Sequence, residues 1–383
     1  MFKRWLDIEK SKSALLIGPR RSGKTTFLKQ KFCNLNYITL DDLDAYDWAQ
    51  KDPKGFMQSL GKKAIIDEIQ RLPKLTIAVK NAVDNQGCLF YMTGSSSIGL
   101  LDAASDSLAG RVNFYHFPPA CWGENSFTEP NKALFDNQKN IQQIKDAYRI
   151  LPNVLKHGLF PEVITADDKE QILNNYKNTY FTRDILQLSN IENLEGMYAL
   201  YHHLIRSIGS HLEVSNFARE SGLSFPTAKK YLNALNQSEL TFKLYGYQYG
   251  PAKRFLKASK TYFCDNGIIE SFKVPLSEGP LIENFVISEI EKRRKLGLIS
   301  ADALYYYKSS AGREIDLLYE EDKVLHIIEI KATKSPGPKD IRNLLEFTKD
   351  LKTASYRLIL FYLGDEYKSL NNVELVPIAS LFG

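Results

Sequence analysis

Short apolar runs alternate with helix-forming segments through the first third of the chain. The runs at 14–17, 64–66 and 88–92 are long enough for buried strands, and each is followed by small or polar residues. A strand of a parallel sheet is buried on both faces, so it shows a nearly continuous apolar run. A strand at 36–40 and a β-rich run at 112–117 extend the series. The pattern predicts a mostly parallel sheet with helices on both faces.

The first apolar run leads into a loop that fits the pattern G-x-x-x-x-G-K-[ST] without a mismatch. Its residues are Gly18, Pro19, Arg20, Arg21, Ser22, Gly23, Lys24, Thr25 and Thr26. The glycines let the backbone N–H groups and the following helix N-terminus point at a phosphate. Lys24 would add a cation at the β- and γ-phosphates, and the Thr25 hydroxyl would bind Mg²⁺. We therefore expect ATP and Mg²⁺ at this loop.

A strand that ends in carboxylates complements the loop. The run 64–66 continues into Asp67 and Glu68, which a parallel strand would carry into the nucleotide crevice. Asp67 would hold Mg²⁺ through water, and Glu68 would orient or deprotonate the attacking water. The next strand ends at Thr93 and Ser95, whose hydroxyls would sense the γ-phosphate or hold that water. A glycine- and serine-rich turn without such a role is the alternative.

A lone arginine, Arg111, precedes the β-rich run at 112–117. An arginine near the γ-phosphate would stabilise transition-state charge, either in its own subunit or from a neighbouring one. The second arrangement would imply a homo-oligomer. An arginine exposed on the surface is the alternative.

Composition limits the class of protein. A chain of 383 residues is too long for one typical core, so two or three domains are expected. The net charge of +5 is too small to indicate a nucleic-acid partner for the chain as a whole. The four cysteines form no C-x-x-C pair, which argues against a disulfide framework and a zinc site. Since no apolar segment has the length of a signal peptide or a bilayer span, we expect a cytoplasmic protein without a membrane partner.

Residues 197–250 have the pattern of a winged helix-turn-helix. Ser215 would cap a short first helix, Gly222 would allow the tight turn, and Ser224 would cap the second helix. The wing would be a strand pair at 240–249.

The second of these helices would present polar residues outward. Thr227, Lys229 and Lys230 would approach the phosphates and base edges of DNA, the expected partner. Packing against protein is the alternative, because two lysines occur on many exposed helix faces. Further basic residues follow after the turn at 250: Lys253, Arg254, Lys257 and Lys260.

The last part of the chain predicts the order helix, three strands, helix, strand. The helices begin near 281 and 340, and the strands span 304–308, 314–319, 324–331, 356–363 and, at the end, 373–378. Asp316 lies on the second strand, while Glu329 and Lys331 share one face of the third. Paired strands would bring these carboxylates together around Mg²⁺, with Lys331 orienting the nucleophile. Glu283 of the first helix would complete the metal shell.

The first of these helices ends in the basic run Lys292-Arg293-Arg294-Lys295. The run would guide a phosphate backbone. Alternatively, and more simply, it is a solvated set of cations at a helix C-terminus, where the helix dipole favours positive charge.

The chain resembles two known families. In GPRRSGKTT, AIIDEIQRLP, YMTGSSS and SLAGRV it is similar to prokaryotic AAA+ ATPases that carry a C-terminal domain of nuclease-like fold. This resemblance implies ATPase roles for Lys24, Thr25, Asp67 and Glu68. Roughly the last hundred residues, with Glu283, Asp316 and the E-x-K at 329–331, resemble the PD-(D/E)xK nuclease superfamily.

We therefore expect an α/β protein of four parts. They are an AAA+ ATPase domain with a P-loop parallel sheet at 1–128, a helical linker or lid at 129–196, a winged helix-turn-helix at 197–250, and a PD-(D/E)xK restriction-endonuclease-like domain at 251–383. One hypothesis is an ATP-driven enzyme that acts on DNA and hydrolyses phosphodiesters with Mg²⁺ at Glu283, Asp316, Glu329 and Lys331. The other is an ATP-dependent molecular switch or assembly factor whose last domain only binds DNA or protein.

Overall fold

The structure, a computed structural model, describes residues 3–95, 107–132, 134–181, 185, 193–247, 259–309, 312–351 and 355–383. The chain divides into two compact units. The amino-terminal unit comprises Arg4–Pro119 and the short segment Gln237–Glu239. The carboxyl-terminal unit comprises chiefly Ala120–Asn236 and Leu240–Gly383.

The amino-terminal unit contains a parallel sheet with the strand order β2-β3-β4-β1-β5. The strands are β1 (Ser13–Gly18), β2 (Asn36–Thr39), β3 (Lys63–Asp67), β4 (Leu89–Ser95) and β5 (Val112–His116). The helices are α1 (Lys24–Lys31), α2 (Leu43–Lys51), α3 (Pro53–Ser59) and α4 (Leu75–Gln86). The prediction of a parallel sheet connected by helices is confirmed.

Strand β1 lies inside this sheet, and all six of its residues are buried. Leu15 and Ile17 pack in one cluster with Phe90 of the neighbouring strand β4 and with Ile66 of β3. Burying each such side chain contributes about 1.5–3 kcal/mol to stability. Gly18 ends the strand where a Cβ atom would lie only 2.1 Å from a backbone carbonyl oxygen. The core therefore fixes the strand that leads into the phosphate loop, and only glycine fits at its end.

The helices of the carboxyl-terminal unit accompany a mixed sheet. They are α5 (Ile141–His157), α6 (Pro161–Thr165), α7 (Lys169–Asn178), α8 (Leu194–Arg206), α9 (Val214–Glu220), α10 (Phe225–Gln237), α11 (Asn266–Ser271), α12 (Glu278–Lys295) and α13 (Arg342–Phe347). A capping box between Asn140 and Gln143 begins α5, because each side chain accepts the other residue's backbone N–H. Within the described ranges, no helix is long and apolar enough to cross a bilayer.

The sheet of this unit has the strand order β12-β13-β11-β10-β9-β8-β6-β7 among the described residues. Its strands are β6 (Thr241–Gly246), β7 (Lys260–Phe263), β8 (Tyr305–Lys308), β9 (Glu314–Glu321), β10 (Val324–Lys331), β11 (Tyr356–Tyr362), β12 (Lys368–Leu370) and β13 (Val373–Pro377). The elements α12, β8, β9, β10, α13 and β11 follow one another in the order that the pattern predicts.

The helix-turn-helix segment differs from the prediction in two respects. Helix α9 begins at Val214, so Ser215 lies inside its first turn rather than at the cap. Strand β6 pairs with β7, which lies beyond the predicted wing, and residues 248–249 of that wing lie outside the described residues. Because β6 also pairs with β8, the predicted boundary at 250 does not separate two domains in the structure. Lys253, Arg254 and Lys257 lie outside the described residues.

The basic run at the end of α12 also differs from both of its interpretations. Lys292 and Arg293 are only 2% and 1% exposed. Lys292 Nζ lies 3.1 Å from Glu289 Oε1 and 3.4 Å from Asp265 Oδ2, and Arg293 pairs with Glu289 at 2.8 Å. These two cations are neither solvated nor accessible to a phosphate backbone, because buried carboxylates neutralise them inside the unit.

Candidate functional site

The phosphate loop is bent by residues with left-handed backbone conformations. Gly23 has φ 92° and Arg21 has φ 64°, and α1 begins directly afterwards at Lys24. Arg4 supports the loop from outside: its guanidinium donates to the carbonyl oxygens of Ser22 at 2.9 Å and of Pro118 at 2.8 Å. Arg4 was not predicted, because it lies in a segment without a recognisable motif.

Lys24 lies inside the loop with its ammonium group turned toward the backbone. Its Nζ donates to the carbonyl oxygens of Gly18 and Pro19 at 2.9 Å each. Burial lowers the pKa of Lys24 to about 8. The hydroxyl oxygen of Ser22 is buried and has no hydrogen-bond partner in the described part of the chain. The loop thus contains the buried ammonium group of Lys24 and the buried hydroxyl of Ser22, which has no hydrogen-bond partner among the described residues.

Asp67 joins the loop to the two strands beside β3. Its Oδ1 accepts hydrogen bonds from the hydroxyl of Thr25, at 2.8 Å, and from the hydroxyl of Thr93. Its Oδ2 accepts a hydrogen bond from the hydroxyl of Tyr37 at 2.8 Å. Thr93 is adjacent because β3 and β4 are parallel with Ile66 opposite Met92. Tyr37 was not predicted, because the order of strands that brings β2 beside β3 cannot be deduced from spacing.

Glu68 follows Asp67 with φ 58°, an unfavourable conformation for a residue other than glycine. Its backbone N–H donates to the Thr93 hydroxyl at 3.3 Å, and its carboxylate accepts from the side-chain amide of Gln70. The hydroxyl oxygen of Ser95 is buried at the end of β4 and has no hydrogen-bond partner among the described residues. Gln70 is the third residue of this site, after Arg4 and Tyr37, that the sequence analysis did not single out.

Arg111 directly precedes β5, so it lies at the opposite end of the strands from the phosphate loop. Strands β1 and β5 are parallel with Ser13 opposite Val112, whereas the phosphate loop follows Gly18 at the far end of β1. A six-residue strand is about 17–20 Å long. Arg111 Nε donates to both carboxylate oxygens of Asp84, at 2.7 and 2.8 Å. This placement argues against a role of Arg111 at the phosphate loop of its own subunit. Action of Arg111 at the loop of a neighbouring subunit stays a prediction.

The donors and acceptors of the amino-terminal site fit a nucleotide with Mg²⁺. Lys24 and the unpartnered hydroxyls of Ser22 and Ser95 suit phosphate oxygens. Thr25 and Asp67 are oxygen ligands within hydrogen-bond distance of each other, as a hard cation between them requires.

A second cluster lies on β9 and β10 of the carboxyl-terminal unit. These strands are antiparallel with Leu317 opposite Ile328, which puts Asp316 beside Glu329. Asp316 Oδ2 accepts the backbone N–H of Ile330 at 2.9 Å, and Lys331 Nζ donates to Glu329 Oε2 at 2.8 Å. Although burial opposes it, the carboxylates of Glu329 and Asp316 raise the pKa of Lys331. The structure therefore brings Asp316, Glu329 and Lys331 together.

Burial makes the carboxylates of this cluster difficult to ionise. Burial and then repulsion from Asp316 raise the pKa of Glu283 to about 7. The same two causes raise the pKa of Glu329 well above its usual value. Glu329 Oε1 is buried and has no hydrogen-bond partner within the described ranges. A hard cation would satisfy this oxygen and favour ionised carboxylates, so these residues fit Mg²⁺.

The cluster does not form a closed metal cage. Across the residues that the structure describes, no group of three or more His, Cys, Asp or Glu side chains has the arrangement of a metal site. Mg²⁺ usually keeps several waters and binds only one or two carboxylates, so Asp316 and Glu329 with water meet its needs.

Strand β7 adds two residues to this cluster that the sequence did not indicate. Tyr262 donates its hydroxyl to Glu283 Oε1 at 2.7 Å, and the ammonium group of Lys260 pairs with Glu314. Lys260 was expected only as one of several basic residues after the turn at 250. It is instead 1% exposed.

Helix α10 presents the predicted lysines to solvent. Lys229 and Lys230 are exposed, whereas Thr227 is partly buried and its hydroxyl bonds to that of Ser224 at 2.8 Å. Lys243 of β6 is partly buried, and burial and then the charge of Lys229 lower its pKa. The charges of Lys229 on α10 and Lys243 on β6 therefore interact.

One family match covers the part of the chain that contains the first of these sites. Residues 10–126 match the AAA domain family. The match supports an AAA-type P-loop ATPase domain. Residues 148–275 and 278–381 match two domains of unknown function, DUF8612 and DUF4143. Those two matches carry no assigned activity.

Relatives extend over most of the chain but are themselves uncharacterized. An uncharacterized protein of Methanocaldococcus jannaschii is 26% identical over 383 aligned residues, covering 93% of this chain and 83% of the relative. An uncharacterized protein of Mycobacterium tuberculosis is 25% identical, covering 95% of this chain and 79% of the relative. The similarity therefore extends over most of the length of each of these relatives.

Solved structures give only weak similarities. The Aeropyrum pernix ORC1 protein in complex with DNA has a TM-score of 0.29 and 12% identity, and covers 74% of this chain and 89% of its own. Can2 of Sulfobacillus thermosulfidooxidans, in complex with cyclic tetra-adenylate, has a TM-score of 0.23 and 9% identity, with 96% of each chain covered. Similarities at this level bear on neither the fold nor the function of this chain.

Proposed function

We propose that this protein is an ATP-hydrolysing AAA+ enzyme that acts on DNA and carries a Mg²⁺-dependent nuclease site in its carboxyl-terminal unit. The observation that carries the ATPase part is the pair of hydrogen bonds from Thr25 and Thr93 to Oδ1 of Asp67. Through this one carboxylate the phosphate loop, the acid-bearing strand and the next strand meet at a single point. That is the arrangement needed for a nucleotide with its metal.

The ATPase residues have separate tasks in this proposal. Lys24 exchanges its contacts with loop carbonyls for phosphate oxygens, and Thr25 and Asp67 hold the metal. Bound Mg²⁺ supplies charge neutralisation at the β- and γ-phosphates. Glu68 orients the attacking water, and the Gln70 amide fixes the Glu68 carboxylate in position. Thr93, next to both acids, links their positions.

Contact with DNA is assigned to α10 and β6. Lys229 and Lys230 are exposed on α10, and Lys243 lies close enough to Lys229 for their charges to interact. Lysines that neutralise phosphates release counterions, which makes binding favourable and dependent on salt. The proposal therefore requires contact mainly with the DNA backbone.

Phosphodiester hydrolysis is assigned to the carboxyl-terminal cluster. Asp316 and Glu329 are the residues that would hold Mg²⁺, and Glu283 would complete the shell. Bound Mg²⁺ would polarise the phosphodiester and lower the pKa of a bound water. Lys331, held by Glu329 at 2.8 Å, would orient the water. The unpartnered Oε1 of Glu329 supports this assignment.

One observation favours the second hypothesis, a switch whose last domain only binds. Glu329 is 2% exposed and already paired with Lys331, and Lys260 already pairs with Glu314. Two lysines therefore neutralise part of the acidic cluster without a metal, which would suit a module that does not cut.

A cleavage assay separates the two hypotheses. The parent protein, Glu329→Ala and the control Glu320→Ala are incubated with single- and double-stranded DNA, with Mg²⁺ or EDTA and with or without ATP. Glu320 lies on β9 and is exposed, so its loss should leave the cluster intact. We expect cleavage by the parent and by Glu320→Ala only in Mg²⁺, and none by Glu329→Ala. If the parent hydrolyses ATP but cuts no DNA, the switch hypothesis is favoured.

A further inference from the structure

The clearest unassigned feature is the inner face of β7. Lys260 and Tyr262 are two residues apart and therefore project from the same face of the strand. They are 1% and 0% exposed, and each contacts a different acid of the carboxyl-terminal cluster. Buried polar groups are costly unless they are partnered, so these contacts are specific features of the site.

Tyr262 holds Glu283 from one side. Its hydroxyl lies 2.7 Å from Glu283 Oε1. Gly209 also lies close to this carboxylate, because a Cβ atom there would lie 2.7 Å from Oε2 and 2.9 Å from Oε1. Gly209 also has φ +77°, which disfavours other residues. The carboxylate of Glu283 therefore has a hydroxyl group and a glycine as close neighbours.

Lys260 holds the neighbouring acid of β9. Its ammonium group pairs with Glu314, which also lies 3.3 Å from Lys308 Nζ. Lys260 is itself anchored, since it forms a backbone bridge with His211 and its ammonium group lies 5.4 Å from the ring centre of Tyr306. Two lysines therefore contact Glu314. Asp316 follows two residues later on β9 and lies beside Glu329.

We infer that Tyr262 is a positioning residue for a divalent cation at this cluster, because it holds the Glu283 carboxylate where it can accept a hydrogen bond from a water of a cation bound by Asp316 and Glu329. Lys260 has the complementary task of keeping Glu314 away from that cation. The inference rests on the proposed Mg²⁺ site. It extends the site from the E-x-K strand to β7, which also pairs with the strand that follows the helix-turn-helix.

Mn²⁺ is a suitable probe, because the free ion is counted directly by electron paramagnetic resonance. The full-length parent, Glu329→Ala, Tyr262→Phe and Tyr306→Phe are titrated without nucleotide. Glu329→Ala identifies the part of the signal that belongs to the cluster. Tyr306→Phe is the matched control, since its hydroxyl bonds to His211 rather than to an acid. Thermal unfolding of each variant verifies that it is folded.

We expect Tyr262→Phe to bind Mn²⁺ about tenfold more weakly than the parent, the usual effect of losing a group that orients a metal ligand. Tyr306→Phe should bind like the parent. Gly209→Ala displaces the same carboxylate without removing the hydroxyl, so it should weaken binding too and provides a second variant if Tyr262→Phe does not fold.

Three outcomes would count against the inference, and they differ in what they contradict. If the parent and Glu329→Ala bind Mn²⁺ equally, the proposed metal site is absent and the inference falls with it. If Glu329→Ala loses binding while Tyr262→Phe and Gly209→Ala both bind like the parent, the metal site stands and the role of Tyr262 is wrong. Equal weakening by Tyr306→Phe would likewise count against Tyr262, because the effect would then be a general one on the sheet.

Discussion

The hydroxyl of Thr25 lies 2.8 Å from Oδ1 of Asp67, so the first turn of α1 is hydrogen-bonded to the end of β3. The two residues are far apart in the chain and meet because β1 and β3 both flank β4 in a parallel sheet. Parallel strands deliver their carboxyl ends to the same edge of the sheet. A metal ion bound to a nucleotide and held by Thr25 and Asp67 would replace this hydrogen bond.

Thr25→Val removes this hydroxyl while keeping the shape of the side chain. Mg²⁺ would lose one ligand, so we expect nucleotide affinity measured with Mg²⁺ to fall by about tenfold or more. Affinity measured in EDTA should change little. Titration calorimetry under both conditions tests this, and an equal loss with and without Mg²⁺ would argue against Thr25 as a metal ligand.

Glu68→Gln should separate binding from hydrolysis. The amide retains the size of the side chain but cannot take a proton from the attacking water. We expect ATP to bind normally and to be hydrolysed about 10²–10⁴ times more slowly, the usual contribution of a positioned general base. Phosphate release under saturating ATP measures the rate. An unchanged turnover would transfer the catalytic role to another residue.

Replacing both Lys229 and Lys230 by Gln should weaken DNA binding without altering the fold, because both side chains are exposed. We expect the plot of log affinity against log salt concentration to become less steep by about two units if both lysines contact phosphates. Fluorescence anisotropy at several salt concentrations measures the slope.

The matched control for this pair is the double replacement Lys132→Gln with Lys145→Gln. These lysines are exposed and remove the same net charge elsewhere in the carboxyl-terminal unit. The control should retain the slope of the parent. An equal decrease in both double variants would indicate a general effect of charge rather than contact through α10.

His326 should make stability depend on pH. It lies between the rings of Phe135 and Tyr319, with centroid distances of 5.3 and 4.7 Å. Burial, and then the positive charge of Arg357, lower its pKa from 6.5 to about 4. The charged groups that act on the ring are Arg357, Glu374 and Asp136. The folded state therefore takes up this proton less readily than the unfolded state does.

Because the folded pKa is the lower one, the contribution of His326 is complete above pH 6.5 and is lost as the pH falls toward 4. At pH 5 the loss in the free energy of unfolding is about 2 kcal/mol. His326→Phe keeps the stacked ring and removes the titration, so its stability should fall less between pH 7 and pH 5. Urea unfolding at both pH values tests this, and an identical fall in both proteins would contradict it.

The sequence was most informative where chemistry depends on neighbouring residues. The phosphate loop and the pair Asp67-Glu68 each occupy one continuous segment next to an apolar strand, so the pattern alone located them. The predicted E-x-K strand also formed, and the pairing of β9 with β10 follows from their short connection. Local patterns of this kind survive folding because strand and turn preferences act over a few residues.

The sequence was least informative where distant segments meet. Tyr37 reaches Asp67 only because β2 lies beside β3, and Lys260 reaches Glu314 only because β7 joins the edge of the second sheet. Lys292 and Arg293 resembled a solvated run because their buried acidic partners lie elsewhere in the sequence or one helical turn away. Whether a charge is buried depends on tertiary packing. The sequence pattern therefore predicted the wrong environment for Lys260, Lys292 and Arg293.

Nucleotide affinity of Lys24→Ala is the most direct test that the amino-terminal unit binds ATP. The control is Lys31→Ala, which removes a lysine from the same helix whose ammonium group pairs with Asp7. Losing a charged contact to phosphate should weaken binding of a fluorescent ATP analogue about 100-fold in Lys24→Ala and leave the control like the parent. Equal affinity in Lys24→Ala and the parent, or no binding by the parent, would contradict the assignment.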